Sequence, residues 1–505
     1  MGQEPDRKDG MPEFTIGVDI GTTGTKTVLV DVDAARIVAQ STGETTLHSD
    51  APGHAEADPW QWLANTHAGI RAVLAESGIS PDRVGAVATT GMVPAVVAVD
   101  RDGNPVRRAI LQNDARATRE IDTLKERIDD ETVLAATGSA ITQQSVAPTA
   151  LWLRGNEPDC WQRTARLVGS YDWVLMALGA APHVELNWAI ESGLGMLDGG
   201  RFDPMFAAAG LSTDLVPQVL SPGQRAGELS PAAAEATGLL AGLPLIVGGA
   251  DHVLSAYAAG VNRPGDCLVK LGGAGDILAA SERPVVDARL YLDAHPVPGR
   301  WLPNGCMATS GSLIRWFQTL SGGHDLVALD DEAQTRSPAE VLCLPYFLGE
   351  KSPLHDPDLR GAFVGLDLSH TRADMYRSVL EAIAFGFRHH TEVFAHMGVS
   401  LERAMVTNGG SRSVLWKQIL ADVLGTPLIP VIGHPGASLG AAVIAAVGIG
   451  LLGDWDSTQA FQTLGDPVVP DARHVDRYAE AYAEWRTLGD VLTPVSHRMA
   501  RKARS

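Results

Sequence analysis

At 505 residues the chain is too long for one ordinary core, so two or more domains are expected. It is 45% hydrophobic and 20% charged, a globular, water-compatible composition. Its formal net charge of −20 argues against nucleic acid or an anionic membrane as the main partner, though not against a local anion pocket.

The first residues, MGQEPDRKDGMPEF, are polar and lack the apolar core of a signal peptide. Residues 1–12 are expected to form a loose tail. FTIGV and KTVLV then read as strands around the turn Gly21–Thr25, and IVAQ as a continuation of the meander. WQWLANTHAGIRAVLAES (60–77) has its apolar residues at helical spacing. GAVATTG (85–91) and PAVVAV (94–99) read as strands again, which makes the first third α/β. From about 117 to 240 the pattern is mostly helical. LPLIVGGADHVLSAYAAG (243–260) reads as strand, glycine turn, helix, and VNRPG (261–265) as a candidate boundary. Two domains are therefore expected at 13–260 and 261–495.

DCLVKLGGAGDILAAS (266–281) repeats the opening pattern at an offset of 251 residues, so that Gly21 meets Gly272 and Gly24 meets Gly275. A shared hairpin near the start of each half suggests two related domains. Farther on, 371–398 is a long helix, with Thr371 and Asp374 spaced as a capping box and Met375, Val379, Ile383 and Phe387 as an apolar stripe. AMVTNGG (404–410) reads as a strand, SVLWKQILADVLG (413–425) as a helix closed by glycine, and LIPVI as a strand. The Gly/Ala-rich run 439–453 is too short for a membrane span and reads as a final core helix. Four cysteines stand singly, with neither zinc-ligand spacing nor a disulfide framework. A reducing, cytoplasmic location is expected.

Three stretches carry chemistry. In DIGTTGTK the turn offers backbone N–H groups, threonine hydroxyls and Lys26 to an anion. Asp19 would repel a bare phosphate, so it makes sense with a cation such as Mg²⁺ between them. Taken alone, the stretch is either an ordinary hairpin or a phosphate cradle. In VGGADH, Asp251 opens a helix. It reads either as a cap stabilised by the helix dipole or as a base for a substrate hydroxyl attacking a γ-phosphate. His252 beside it reads as structural or as a supporting polar group. In TNGGSRSVLW, Gly409 and Gly410 would let a flat group approach the backbone.

These motifs, in this order, resemble the FGGY family of carbohydrate kinases, in the actin-like and hexokinase-like ATPase superfamily. LPYFLGEKSPLHDPDLRGAFVGLDLSHTRADMYRSVLEAIAF (344–385) is similar to the family's long signature, and GASLGAAVIAA (436–446) to its closing helix. The resemblance implies an α/β fold of two actin-like (ribonuclease H-like) domains that close over a catalytic cleft. ATP and Mg²⁺ would be the cofactors, with transfer of the γ-phosphate to a sugar or polyol hydroxyl. By position, Asp251 would be the general base and also touch substrate, and Asp19 would hold Mg²⁺. Thr22, Thr23 and Lys26 would face phosphate, and Gly272 and Gly273 would form a second phosphate loop. Gly311, Gly409, Gly410 and Ser411 would line the nucleotide pocket. A homodimer is a further expectation.

On the sugar side, residues 89–116 resemble the xylulose-kinase subgroup, which implies substrate contacts from Met92, Gln112 and Asp114. Val93 stands where that subgroup carries His, and Gln112 where it carries Trp. Glycerol kinases carry Arg-Glu at 92 and 93, which disfavours glycerol. LGGAG (271–275) lacks the hydroxyls that the family usually has in the second loop. The expected function is an ATP-dependent kinase of a sugar, first of all a ketopentose such as xylulose. The alternative is a sugar-independent ATPase or a kinase-derived sensor.

Overall fold

The computed structural model describes residues 12–434 and 436–504, with side chains to Lys502. The tail expected at 1–12 lies, up to Met11, outside them. The chain divides into two compact units. Unit 1 takes the described residues to Ala258, Asp293–Arg300 and 436–461; unit 2 takes Ala259–Leu292, 301–434 and the residues from Gln462 on.

Unit 1 is built on a six-stranded sheet in the order Arg225–Glu228, Pro244–Ala250, Val84–Gly91, Phe14–Ile20, Gly24–Asp31, Arg36–Glu44. The last three form an antiparallel meander; Phe14–Ile20 also pairs parallel with Val84–Gly91, and that strand with Pro244–Ala250. Phe14–Ile20 is buried on both faces except at Asp19, as strands covered by helices on both sides are. Helix Pro59–Ser77 covers one face. Asp58 caps it by accepting from the Trp60 N–H, Pro59 presets its first turn, and Gly78 closes it at φ 66°. Helix Ala437–Gly448 covers the other, and the Thr15 hydroxyl donates to the Ala442 carbonyl at 2.8 Å. Its approach is so close that a Cβ on Gly17 would fall 2.0 Å from the Ser438 carbonyl oxygen, so only glycine fits there.

Unit 2 repeats the scheme. Trp301–Met307, Gly275–Ala279 and Gly265–Leu271 form an antiparallel meander; Gly265–Leu271 pairs parallel with Leu401–Thr407, and that strand with Leu428–Pro430. The same sequence of antiparallel and parallel neighbours in each unit is what the repeated hairpin suggested.

Helix Arg372–His396 runs through the unit 2 core. The single stripe expected from Met375, Val379, Ile383 and Phe387 understates it, because residues on every side are buried, the charged Arg377 and Glu381 included. At its start Asp374 accepts from the Thr371 backbone N–H at 2.7 Å, the returning half of a capping box. The Gly/Ala-rich helix is not the last one. Helix Ala472–Arg504 follows over 33 residues, and Tyr478, Ala481, Tyr482 and Trp485 bury one stripe of it. That spacing is helical and present in the sequence, but charged neighbours and Pro494 mask it. No described helix is long and apolar enough to cross a membrane.

Candidate active site

In unit 1 the opening hairpin pairs Asp19 with Lys26 and Ile20 with Thr25, leaving a four-residue turn. The Gly21 N–H donates to the Gly24 carbonyl at 3.0 Å, and the Thr45 N–H to the Thr23 carbonyl at 3.0 Å, so the turn is held from inside and from its neighbour. Thr23 is exposed, while Thr22 and Lys26 are half-buried. Burial lowers the Lys26 pKa and Asp19 opposes that shift. A half-buried carboxylate beside a turn of this kind suits Mg²⁺, which is commonly held by one or two carboxylates and completed by water and phosphate oxygens.

Met92 lies against this hairpin. Its N–H donates to the Ile20 carbonyl at 3.2 Å, and the Thr22 hydroxyl lies 3.9 Å from its sulfur. Gln112 is half-buried, and its Oε1 has no hydrogen-bond partner. A buried acceptor left in that state is costly unless a ligand donor reaches it. Asp114 differs from its expected role. Its Oδ2 accepts from the Ala55 N–H and Arg116 Nη2, and its Oδ1 from the Arg116 N–H and Nε. Four donors saturate the carboxylate, so Asp114 fixes Arg116 and the Ala55 loop, and no acceptor position remains for a sugar hydroxyl.

Strand Pro244–Ala250 runs straight into helix Asp251–Ala258, which puts Asp251 at the helix N-terminus with its side chain 38% exposed. Behind it the charges are interior. His252 Nδ1 lies 3.5 Å from Asp251 Oδ1, and Nε2 lies 2.8 Å from Asp293 Oδ2 and 3.8 Å from Glu191 Oε1. Farther in, the Tyr171 hydroxyl donates to Glu185 Oε2 at 2.9 Å, and burial pushes the Glu185 carboxyl up to about 7. Among the described residues, Glu191, His252 and Asp293 form the one trio of possible metal ligands, all within 4.8 Å of one another. The nitrogen facing Asp293 is already at hydrogen-bond length, so the trio is an ion-pair network and not a cation cage.

In unit 2 the second hairpin pairs Lys270 with Asp276, 3.3 Å apart, and Leu271 with Gly275. Its turn is one residue shorter than the first. The carbonyls of Gly272 and Gly273 accept from the backbone N–H groups of Gly311, Ser310 and Ser312, which pins the turn to the start of helix Gly311–Leu320. A Cβ on Gly311 would stand 2.6 Å from the Gly272 oxygen.

Beside this turn is a cavity of about 770 Å³. Gly272, Gly273, Gly311, Gly409 and Gly410 line it. Ser411 does not, because its hydroxyl turns back onto the Asn408 carbonyl at 2.7 Å; Ser312 and Ser413 are the serines in the lining. Sequence reasoning missed the apolar part of the lining. Leu326 and Val327 come from a helix of unremarkable sequence, and Val414 joins them in the lining. They are 36%, 66% and 74% exposed, an apolar slot open to a flat group. Tyr376 donates to Asp330 at 3.0 Å at its edge, and burial raises the Asp330 pKa against the bonds from Ser413 and Tyr376.

Comparison with known proteins supplies the identity. The model of the FGGY family of carbohydrate kinases matches over its N-terminal domain at residues 14–258 and over its C-terminal domain at 271–449. The chain is similar to the crystal structure of a xylulose kinase from Rhodospirillum rubrum, with a TM-score of 0.91 and 40% identity, covering 96% of this chain and 100% of that one. It is 28% identical over 490 residues to the xylulose kinase of Escherichia coli (strain K12), covering 95% of this chain and 99% of that protein. To the xylulose kinase of Bacillus subtilis (strain 168) it is 26% identical over 483 residues, 94% of this chain and 96% of that protein. The duplicated α/β fold is thus that of an ATP-dependent sugar kinase, a phosphotransferase with an alcohol group as acceptor. The chain belongs to the FGGY family of carbohydrate kinases.

Proposed function

We propose that the chain phosphorylates a ketopentose, xylulose first, with Asp251 as the general base. The position of Asp251 carries this reading: a partly exposed carboxylate heads a helix and is backed by a half-buried imidazole. The named relatives, all xylulose kinases, support the substrate class.

In the reaction the acceptor hydroxyl gives its proton to Asp251 as its oxygen bonds to the γ-phosphorus. The bond from that phosphorus to the bridging oxygen breaks, and its electrons leave with ADP. Such transfers depend on positioning and charge neutralisation. Met92 and the unpartnered Oε1 of Gln112 would meet the sugar. Thr22, Thr23 and Lys26 would donate to phosphate, helped by the turn at Gly272 and Gly273. The unit 2 cavity, with Gly311, Gly409 and Gly410, would take the adenine end of ATP. Mg²⁺ held by Asp19 would neutralise phosphate charge when bound. Four free cysteines suit the cytoplasm, and a homodimer is part of the proposal, to be checked by light scattering.

A coupled assay of ADP release over pentuloses, hexuloses and polyols tests the reading. The highest kcat/KM is expected for xylulose, with a phosphorylated product. Sugar-independent ATP hydrolysis without such a product would favour the ATPase alternative, which the hydroxyl-free second turn keeps in view.

The two hairpins should not contribute equally. Thr23→Ala is expected to raise the KM for ATP about three- to tenfold, the worth of one hydrogen bond. Ala274→Ser should improve it by less than about twofold, since backbone donors already serve that turn. Steady-state kinetics of the two variants checks the ranking, and a larger gain from Ala274→Ser than loss from Thr23→Ala would reverse it.

A further inference from the structure

We infer that His252 is a positioning residue that aims Asp251 and keeps it ionised, and that Asp293 and Glu191 in turn hold His252 in its charged form. The inference rests on the reading of Asp251 as the base.

Both ring nitrogens of His252 face carboxylate oxygens, Nδ1 toward Asp251 at 3.5 Å and Nε2 toward Asp293 at 2.8 Å with Glu191 at 3.8 Å. Only the doubly protonated ring offers a donor on both sides. Exposure falls along the chain of groups, from 38% at the Asp251 side chain to 22% at His252 and 1% at Asp293. Asp293 is itself anchored through its neighbour: Asn187 Nδ2 donates to the Ala294 carbonyl at 3.0 Å, and the Ala294 N–H donates back to Asn187 Oδ1 at 2.7 Å. The groups facing His252 are thus Asp251 on its own helix, Glu191 at the end of helix Leu186–Glu191, and Asp293 on the segment that Asn187 holds.

The electrostatics agree with this geometry. Burial opposes a charged imidazole, yet Asp293, Asp251 and Glu191 outweigh it and hold the His252 pKa well above its ordinary value. Burial and the neighbouring Asp293 push the Glu191 carboxyl up, and His252 opposes that shift. With one oxygen of Asp251 drawn to the imidazolium, the other is left for the acceptor hydroxyl. The adjacent positive charge also keeps Asp251 deprotonated into mildly acidic solution.

The test is a set of pH profiles of the full chain and of H252N, D293N, E191Q and D251N, from about pH 5 to 9. H252N is expected to lower kcat about 10- to 100-fold while changing the KM for ATP less than about threefold. It should also move the acid limb of kcat/KM upward by about one pH unit, because Asp251 then binds its proton more tightly. D293N and E191Q should bring the alkaline limb to lower pH, because His252 then loses its proton sooner. Unmoved limbs in H252N, with kcat either near normal or lowered evenly across pH, would overturn the inference. If H252N does not fold, the alkaline limbs of D293N and E191Q decide in the same way. D251N separates the two readings: near-normal turnover there removes the base and this inference together, whereas a dead D251N with unmoved H252N limbs removes the inference alone.

Discussion

Asp251→Asn is expected to lower sugar-dependent turnover about 10²- to 10⁴-fold, the range that a positioned proton acceptor contributes. The melting temperature should change by less than about 2 °C, because the side chain is 38% exposed and asparagine still suits a helix N-terminus. The loss of attraction between carboxylate and helix dipole costs only about 0.3–1 kcal/mol. ADP release in the coupled assay, read beside thermal unfolding, separates chemistry from stability. Turnover within about tenfold of wild type would reject Asp251 as the base. A large fall in melting temperature would instead mean that the residue is mainly a cap.

The largest stability effect is expected from Arg377→Met, at about 3–5 kcal/mol. Arg377 Nε donates to Glu381 Oε1 at 2.8 Å, Nη1 to the Ala333 carbonyl at 3.2 Å, and Nη2 to the Tyr478 hydroxyl at 2.9 Å. Tyr478 donates to the same Glu381 oxygen at 2.8 Å, which ties helix Ala472–Arg504 to helix Arg372–His396. Removing the guanidinium strands a carboxylate that is 2% exposed. Burial already raises the Glu381 pKa, with Arg377 the main opposing influence, so the variant's carboxyl rises further. A carboxyl raised in the folded state favours folding while it stays protonated, and that benefit is lost as pH climbs through its folded pKa. The deficit should therefore be smaller near pH 5 than near pH 8, and Arg377→Met/Glu381→Met should recover much of it. Urea unfolding at the two pH values checks both, and a deficit independent of pH would mean that Glu381 is not the stranded group.

Much of the fold was legible because local rules and tertiary packing agree. Helix Pro59–Ser77 forms where its apolar spacing falls, and the opening hairpin forms where its glycines fall. The last helix shows the opposite case. Its stripe at Tyr478, Ala481, Tyr482 and Trp485 is regular, but charged residues dilute it, and only the core it meets makes it decisive. The glycines in the cavity lining were readable as turn positions, since a turn leaves a trace in composition. Leu326, Val327 and Val414 leave none, because an apolar wall has no motif. Asp114 was misassigned because a carboxylate's partners are spatial: nothing in the string shows that four donors converge on it.

The two hairpins carry their paired charges in opposite senses, which limits how the halves can be interchanged. In the first hairpin the acid stands on the incoming strand and the lysine on the outgoing one; in the second the polarity is inverted, with Lys270 incoming and Asp276 outgoing. In both hairpins this pair stands one place behind the pair that closes the turn, so the difference in turn length leaves the register itself alike. What differs is the sign presented on each strand. A half that took the other's hairpin would set a lysine where an acid stood and an acid where a lysine stood, so the two share a pairing pattern without being exchangeable parts.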